Sequence, residues 1–214
     1  MSVRIEGGDT QNRDRAISMA YSTVRRGGLV IVPTESQYAV VTDAFSPRGT
    51  SLLREYKGLG TQVPLSVLVP NANAVSGITS SIPHIAKEIM ASYWPGELTL
   101  LLKAGTTLAW DHPAGAPIAV RMPTHPFLLE LLNATGPLAS SGAQQAGMPQ
   151  IAQVAQLGAC EVDSVSVIIA AGDLVSGSGS TVIDCTGESP TIVREGAIDR
   201  QTLTDFISQS GVPG

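Results

Sequence analysis

Several polar side chains in this 214-residue chain stand at the ends of apolar runs. The run Leu29-Val30-Ile31-Val32-Pro33 leads straight into Thr34, Glu35 and Ser36, with Tyr38 close behind. Hydroxyls and a carboxylate just past a buried strand are where an α/β sheet presents its ligands. Arg121 ends a run in Val120-Arg121-Met122-Pro123, and Arg194 ends another in Val193-Arg194-Glu195-Gly196. A salt bridge accounts for either arginine alone, but the planar guanidinium fork equally suits a carboxylate or a phosphate. Ser180 and Thr181 head a further apolar run, and Lys57 closes a helical stretch just before Gly58. A lysine there also complements the negative end of a helix, an effect of about 0.3–1 kcal/mol. Two arginines together with these hydroxyls describe a pocket for an anionic small molecule.

Other chemistries find no footing. There is no GxxxxGK[ST] phosphate loop and no GxGxxG after a strand. His84, His112 and His125 are scattered without metal-ligand spacing, and the prolines beside His84 and His125 suggest surface or helix-capping positions. Asp184 has no evident histidine partner, so a hydrolytic triad is unsupported. Cys160 and Cys185 form neither a metal motif nor a disulfide framework, and read as buried small residues.

Composition narrows the class further. At 43% hydrophobic and 14% charged, the chain can bury a core and is not of the disordered type. No apolar run approaches the ~18–20 residues that span a bilayer. The polar stretch MSVRIEGGDTQNRDR lacks a secretory pattern, so a cytoplasmic protein without membrane partners is expected. A formal net charge of −5 favours a small-molecule site over a polyanion groove.

These residues must be positioned by a mixed set of elements. Apolar spacing predicts helices from Asp9 to Arg26, Pro47 to Lys57, Pro83 to Tyr93 and Pro123 to the stop at Gly136. Strands are predicted at Leu29–Pro33, Pro64–Val69, Glu97–Lys103 and Pro117–Met122, with a Gly/Pro/Ala-rich connection over 104–116. PLASSG, SVSVIIAAG, STVIDC and PTIVRE read as further strands, Gln150–Leu157 as a weak helix, and Asp199 as the cap of a last helix through Ile207. The order αβαβαβ with a strand-rich finish predicts one α+β (α/β-type) domain over 1–214, with a mixed sheet of about seven or more strands flanked by helices. The Gly/Ser loop 176–180 is long enough to suggest function.

Read in order, PTESQYAV, LREYKGLGTQVPLSVLV, SYWPGELTLLLK, IAVRMPTHP, PLASSGAQQAG and GSTVIDCTGESPTIVREGAI resemble the YrdC-like domain, which includes threonylcarbamoyl-AMP synthases and their YciO-type relatives. The likeness runs from about Arg15 to Ile198, leaving a C-terminal helix at about 199–209. It implies a twisted mixed sheet wrapped by helices around a concave cleft. The implied activity is nucleotidyl transfer: L-threonine, bicarbonate and ATP, with Mg²⁺, give threonylcarbamoyl-adenylate and pyrophosphate for the t6A modification of tRNA. By the resemblance Thr34, Arg121 and Ser180 bind threonine, Ser140, Gln144 and Arg194 bind the nucleotide, and Lys57 is catalytic. Thr34, Lys57, Arg121, Ser180 and Arg194 are then expected to converge on one cavity.

The departures bear on that activity. Where the family reads Lys-Gly-Arg, this chain has Lys57-Gly58-Leu59, and where it carries Ser-x-Asn the chain has Gly142-Ala143-Gln144. The family's asparagine before the PL strand falls near Val63, and its histidine in that strand is Leu68. Of the family's Lys, Arg, Ser and Asn set only Lys57 remains, which is closer to the YciO-type pattern. Arg54, one helical turn before Lys57, is a candidate to reach the vacated place. Two alternatives therefore stand beside the synthase: a YciO-like member with weak or changed nucleotide chemistry, and a non-catalytic module binding double-stranded RNA or a nucleotide.

Overall fold

A computed structural model describes residues 2–7, 10–106 and 112–210, with Thr10 and Gln11 described by their backbone alone. The expected helix start at Asp9 and part of the 104–116 connection lie outside these residues. Ten strands form one sheet: β1 (Val3–Glu6), β2 (Leu29–Pro33), β3 (Tyr38–Asp43), β4 (Ser66–Leu68), β5 (Leu98–Lys103), β6 (Pro117–Arg121), β7 (Leu138–Gly142), β8 (Val165–Ala170), β9 (Thr181–Asp184) and β10 (Thr191–Arg194). Among the described residues five α-helices flank it: α1 (Thr10–Arg25), α2 (Pro47–Lys57), α3 (His84–Tyr93), α4 (Pro126–Thr135) and α5 (Arg200–Gln209). The strand order is β1-β8-β2-β3-β7-β4-β6-β5-β9-β10. Pairings are parallel at β1–β8, β2–β8, β4–β6 and β5–β9 and antiparallel elsewhere, so the sheet is mixed, as expected.

Four expectations need correction. Val3–Glu6 is a strand, parallel to β8 at the sheet edge, with exposed Arg4 and Glu6 that made it read as a polar tail. Tyr38–Asp43 is also a strand, buried throughout and returning antiparallel to β2 through the tight turn Thr34–Gln37. The chain therefore begins βαββ rather than αβαβαβ. The weak helix expected at Gln150–Leu157 is a 3₁₀ segment at Val154–Cys160. His125 occupies the cap position of α4, but its imidazole makes no capping bond, and burial pushes its pKa down.

Local chemistry explains the helix that reaches the site. Ser46 caps α2 by accepting a hydrogen bond from Gly49 N at 3.1 Å, and Pro47 opens its first turn. Gly58 closes it at φ 61°, a left-handed conformation that glycine adopts without steric cost. That stop turns the chain away immediately after Lys57.

The two faces of the sheet are used differently. One is covered along its length by a core that takes in Leu53 of α2, Ile89 of α3 and Leu203 of α5. On the other, α1 and α4 bury Val30, Val32, Val41 and Ile169 under Ala20 and Leu131. These two helices reach only part of that face: α1 packs on β1, β2, β3 and β8. The rest of it, over β4, β5 and β6, faces an open concavity.

Candidate functional site

The floor of the concavity is made of small side chains at alternate strand positions. Ala39 on β3, Ser66 on β4, Thr99 on β5, Ala119 on β6 and Ser140 on β7 line a cavity of about 400 Å³. Register brings them together, because Ser66 pairs with Ser140 on one side and Ala119 on the other. Their neighbours Val67, Ile118, Val120 and Ala139 point into the opposite core, as the two-residue period of a strand requires. Small residues on an uncovered sheet face leave room for a ligand.

Polar groups ring one end. Thr34 is buried in the β2–β3 turn, where its Oγ1 donates to Gln37 O at 2.6 Å and Gln37 N returns a bond at 3.3 Å. Arg121 is paired with Glu35, whose other oxygen accepts from Thr124 N at 3.4 Å. Both side chains of the pair are only 15% and 14% exposed. Burial, and next the nearby Arg194 cation, push the Arg121 guanidinium down to about 10, so it stays charged at neutral pH. Ser180 Oγ lies 2.8 Å from Thr99 Oγ1. Arg194 spans Ser180, with its Nη2 2.7 Å from the carbonyl oxygen and 3.2 Å from Oγ.

The segment carrying Arg194 is fastened to β9 through Thr181. Its Oγ1 donates to Ile198 O at 2.6 Å and accepts from Gly196 N at 2.9 Å and Ile198 N at 3.0 Å. Gly196 is required there, since a Cβ would stand 2.4 Å from Gly179 O and 2.6 Å from Ser180 C. The 176–180 loop forms part of the cavity wall through Ser178 and Gly179.

Away from Arg121 the wall is apolar, lined by Leu59, Val63 and Leu65 together with Gly142. Leu68 lines the cavity beside Arg121, with which it pairs in register. Four of these, Leu59, Val63, Leu68 and Gly142, are positions where the chain departs from the family pattern. Arg54 does not supply the missing cation, because its buried guanidinium donates to the carbonyls of Gly60, at 3.0 Å, and Val63.

Thr34, Ser140, Arg121, Ser180 and Arg194 all line this cavity. Lys57 and Gln144 do not. The Lys57 ammonium is turned onto the strand end, donating to Gly142 O at 2.9 Å and to Gln144 O. Burial lowers its pKa. Beside it the Tyr56 hydroxyl donates to Ala143 O, so consecutive carbonyls over 142–144 are all held by donors from α2. Gln144 instead lines a second cavity with Met148 and Ile151. Cys160 and Cys185 are free and buried, and burial pushes the Cys185 thiol up to about 12, which fits the structural role read from the sequence.

Sequence reasoning missed Glu97 and Thr99. Both line the cavity, and Ser36 Oγ donates to Glu97 Oε1 at 2.6 Å. The signal was present as an alternation, Glu97 and Thr99 against the buried Leu98, Leu100 and Leu102. Among the described residues, no group of three or more His, Cys, Asp or Glu side chains could hold a metal ion. No helix among them is long and apolar enough to cross a membrane.

Comparison with known proteins agrees with this geometry. The family model described as "Telomere recombination", for Sua5, YciO and YrdC, matches residues 22–196. A Mycobacterium tuberculosis protein provisionally named as a threonylcarbamoyl-AMP synthase is 32% identical over 208 residues, covering 97% of this chain and 96% of its own. The threonylcarbamoyl-AMP synthase of Bacillus subtilis is 29% identical over 93% of this chain, which spans 58% of that protein. The structure of P. abyssi Sua5 complexed with L-threonine superimposes with a TM-score of 0.85 at 25% identity, covering 96% of this chain and 60% of that one. Escherichia coli YciO matches in fold with a TM-score of 0.80 at 24% identity, over 93% of this chain and 98% of its own. With the twisted mixed sheet, the small-residue floor and the family match in agreement, the chain belongs to the Sua5/YciO/YrdC family.

Proposed function

We propose that this chain condenses L-threonine, bicarbonate and ATP into threonylcarbamoyl-adenylate, in the cytoplasm, for modification of tRNA. The observation that carries the reading is the meeting of Thr34, Arg121, Ser180 and Arg194 on one cavity, in a chain whose fold follows that of a threonine-bound relative. Arg121, held in place by Glu35, receives the α-carboxylate of threonine. The Thr34, Thr99 and Ser180 hydroxyls offer hydrogen bonds to its hydroxyl. Arg194 at the rim stands where a phosphate would approach the Ser180 side of the cavity.

The threonine amine, once deprotonated, bonds to the bicarbonate carbon with loss of water to give a carbamate. A carbamate oxygen then joins the α-phosphorus of ATP while the bond from that phosphorus to the bridging oxygen breaks. Pyrophosphate leaves with that electron pair. Two anions must meet for this, so the chain's part is to offset charge and hold the reactants in line. Mg²⁺ enters with ATP as part of the substrate, carried on the phosphates, which matches its reluctance to shed water for an all-protein cage.

A second reading, a member with weak or altered nucleotide chemistry, is favoured by the apolar lining of Leu59, Val63 and Leu68. One charge-assisted hydrogen bond contributes about 1.5–3 kcal/mol, so losing an arginine and a hydroxyl costs roughly 100- to 1000-fold. Incubation with ATP, Mg²⁺, bicarbonate and labelled threonine separates the two. Threonylcarbamoyl-adenylate and pyrophosphate that disappear with Arg194→Ala support the synthase. No product, with ATP binding undetectable, retires it. An RNA-binding role would instead show as association that weakens steeply with rising salt.

A further inference from the structure

We propose that Glu97 recognises the α-ammonium of the amino-acid substrate, so that Arg121 and Glu97 grip the two charges of a zwitterion across the Thr99–Ser180 hydroxyl pair. The inference rests on the amino-acid reading of the cavity and adds a residue to it.

The register of the sheet places these four side chains in one patch. β5 and β6 are antiparallel with Leu100 opposite Val120, which sets Thr99 opposite Arg121 and makes Glu97 the diagonal neighbour of Arg121. The ladder continues past the strand end, since Gly96 N donates to Met122 O at 2.9 Å. On the other side, β5 and β9 are parallel with Leu98 beside Thr181, and Thr181 N donates to Glu97 O at 3.0 Å. Ser180 therefore stands next to Glu97, while its hydroxyl meets Thr99 at 2.8 Å. Diagonal neighbours on a sheet face are about 7–8 Å apart, within reach of long side chains closing on one small molecule.

The bonding state of each group fits a ligand between them. Ser36 occupies Oε1 of Glu97, and Oε2 accepts no hydrogen bond among the described residues. Arg121 gives Nη1 to Glu35, and its Nε and Nη2 have no protein acceptor among the described residues. One carboxylate oxygen and one edge of a guanidinium are thus left in the same cavity, with complementary charges for an ammonium and a carboxylate. Ser36 fixes the rotamer of Glu97 as Glu35 fixes that of Arg121. The balance of charge also suits a zwitterion: Arg121 and Arg194 against Glu35 and Glu97 sum to zero.

The test is calorimetric titration of the full chain with L-threonine and with (R)-3-hydroxybutyrate, which keeps the carboxylate and hydroxyl but lacks the amine. The wild-type chain is expected to prefer threonine by roughly 10- to 100-fold, the range for one charge-assisted hydrogen bond. Glu97→Gln, which can still accept from Ser36, should bring the two ligands close to parity by weakening threonine alone. Glu97→Asp should fall between, and it serves as the readout if the glutamine variant melts early. A preference that survives in Glu97→Gln and in Glu97→Asp, or a loss shared equally by both ligands, overturns the assignment while leaving the amino-acid reading intact. A wild-type chain that binds neither ligand overturns both.

Discussion

The Lys57 ammonium lies 2.9 Å from the carbonyl oxygen of Gly142, the last residue of β7, and also donates to the carbonyl of Gln144. A lysine expected at the chemistry instead holds the strand end whose residues Ser140, Ser141 and Gly142 wall the cavity. Replacing it by methionine keeps the stem and removes the donors. Two acceptors in a half-buried segment are then left open, and stability should fall by about 1–3 kcal/mol, read as a lower urea midpoint. Threonine affinity should weaken less than in an Arg121 variant, because the threonine end of the cavity is built from other strands.

Arg121 and Glu35 form a pair whose removal should be strongly non-additive. Truncating one partner of a buried ion pair leaves an uncompensated charge and costs about 3–5 kcal/mol. Arg121→Ala is expected to show a loss of that order in urea denaturation. The double variant Arg121→Ala with Glu35→Ala should recover most of it, without recovering threonine binding by calorimetry. Additive losses would mean that the pair does not couple.

Tyr56 gives the protein an alkaline weakness. Burial raises its phenol well above the ordinary value of 10.0. A group whose folded pKa is raised keeps its full contribution below the unfolded value and loses it as pH rises from there. Thermal midpoints should therefore decline as pH climbs past about 10. Tyr38, raised by burial as well, adds to the same decline. Tyr56→Phe should be about 0.5–1.5 kcal/mol less stable at pH 8, through the bond lost to Ala143 O, yet fall less steeply above pH 10. Parallel curves for the two proteins would contradict this account.

The residues that were legible are those at which an apolar run starts or stops on a polar side chain. Thr34 after β2, Arg121 at the end of β6 and Ser180 just before β9 follow that rule, and all three line the cavity. The rule fails where a side chain's target lies on another element. Lys57 and Arg54 look alike in sequence whether they meet a phosphate or a carbonyl, and here both take backbone carbonyls. β3 escaped notice because the turn before it, Thr34–Gln37, contains no glycine, asparagine or proline to separate it from the strand β2 that it follows. Glu97 was hidden in a different way. As the residue before β5 it read as a strand boundary, and only the pairing of β5 with both β6 and β9 shows that it shares a face with Arg121 and Ser180.

The apolar end of the cavity leads to the sharpest mutational prediction. Leu59 and Gly142 both line it, and restoring the family's residue types there should create a phosphate subsite. A Cβ at Gly142 would meet the Gln144 side-chain amide, with Oε1 at 2.4 Å and Nε2 at 2.8 Å. That amide is the far end of a flexible chain, and its buried Oε1 has no hydrogen-bond partner, so it can swing aside at little cost. Serine at 142 is therefore sterically admissible, and arginine at 59 follows the C-cap Gly58 without changing the helix stop. A new guanidinium contact of about 1.5–3 kcal/mol should tighten ATP by roughly 10- to 100-fold in Leu59→Arg with Gly142→Ser, measured by calorimetry with Mg²⁺ present. Threonine affinity should stay as it was, because Thr34, Arg121 and Ser180 are untouched. Unchanged ATP affinity in that variant would leave the phosphates to the Arg194 side alone and would detach positions 59 and 142 from the nucleotide altogether.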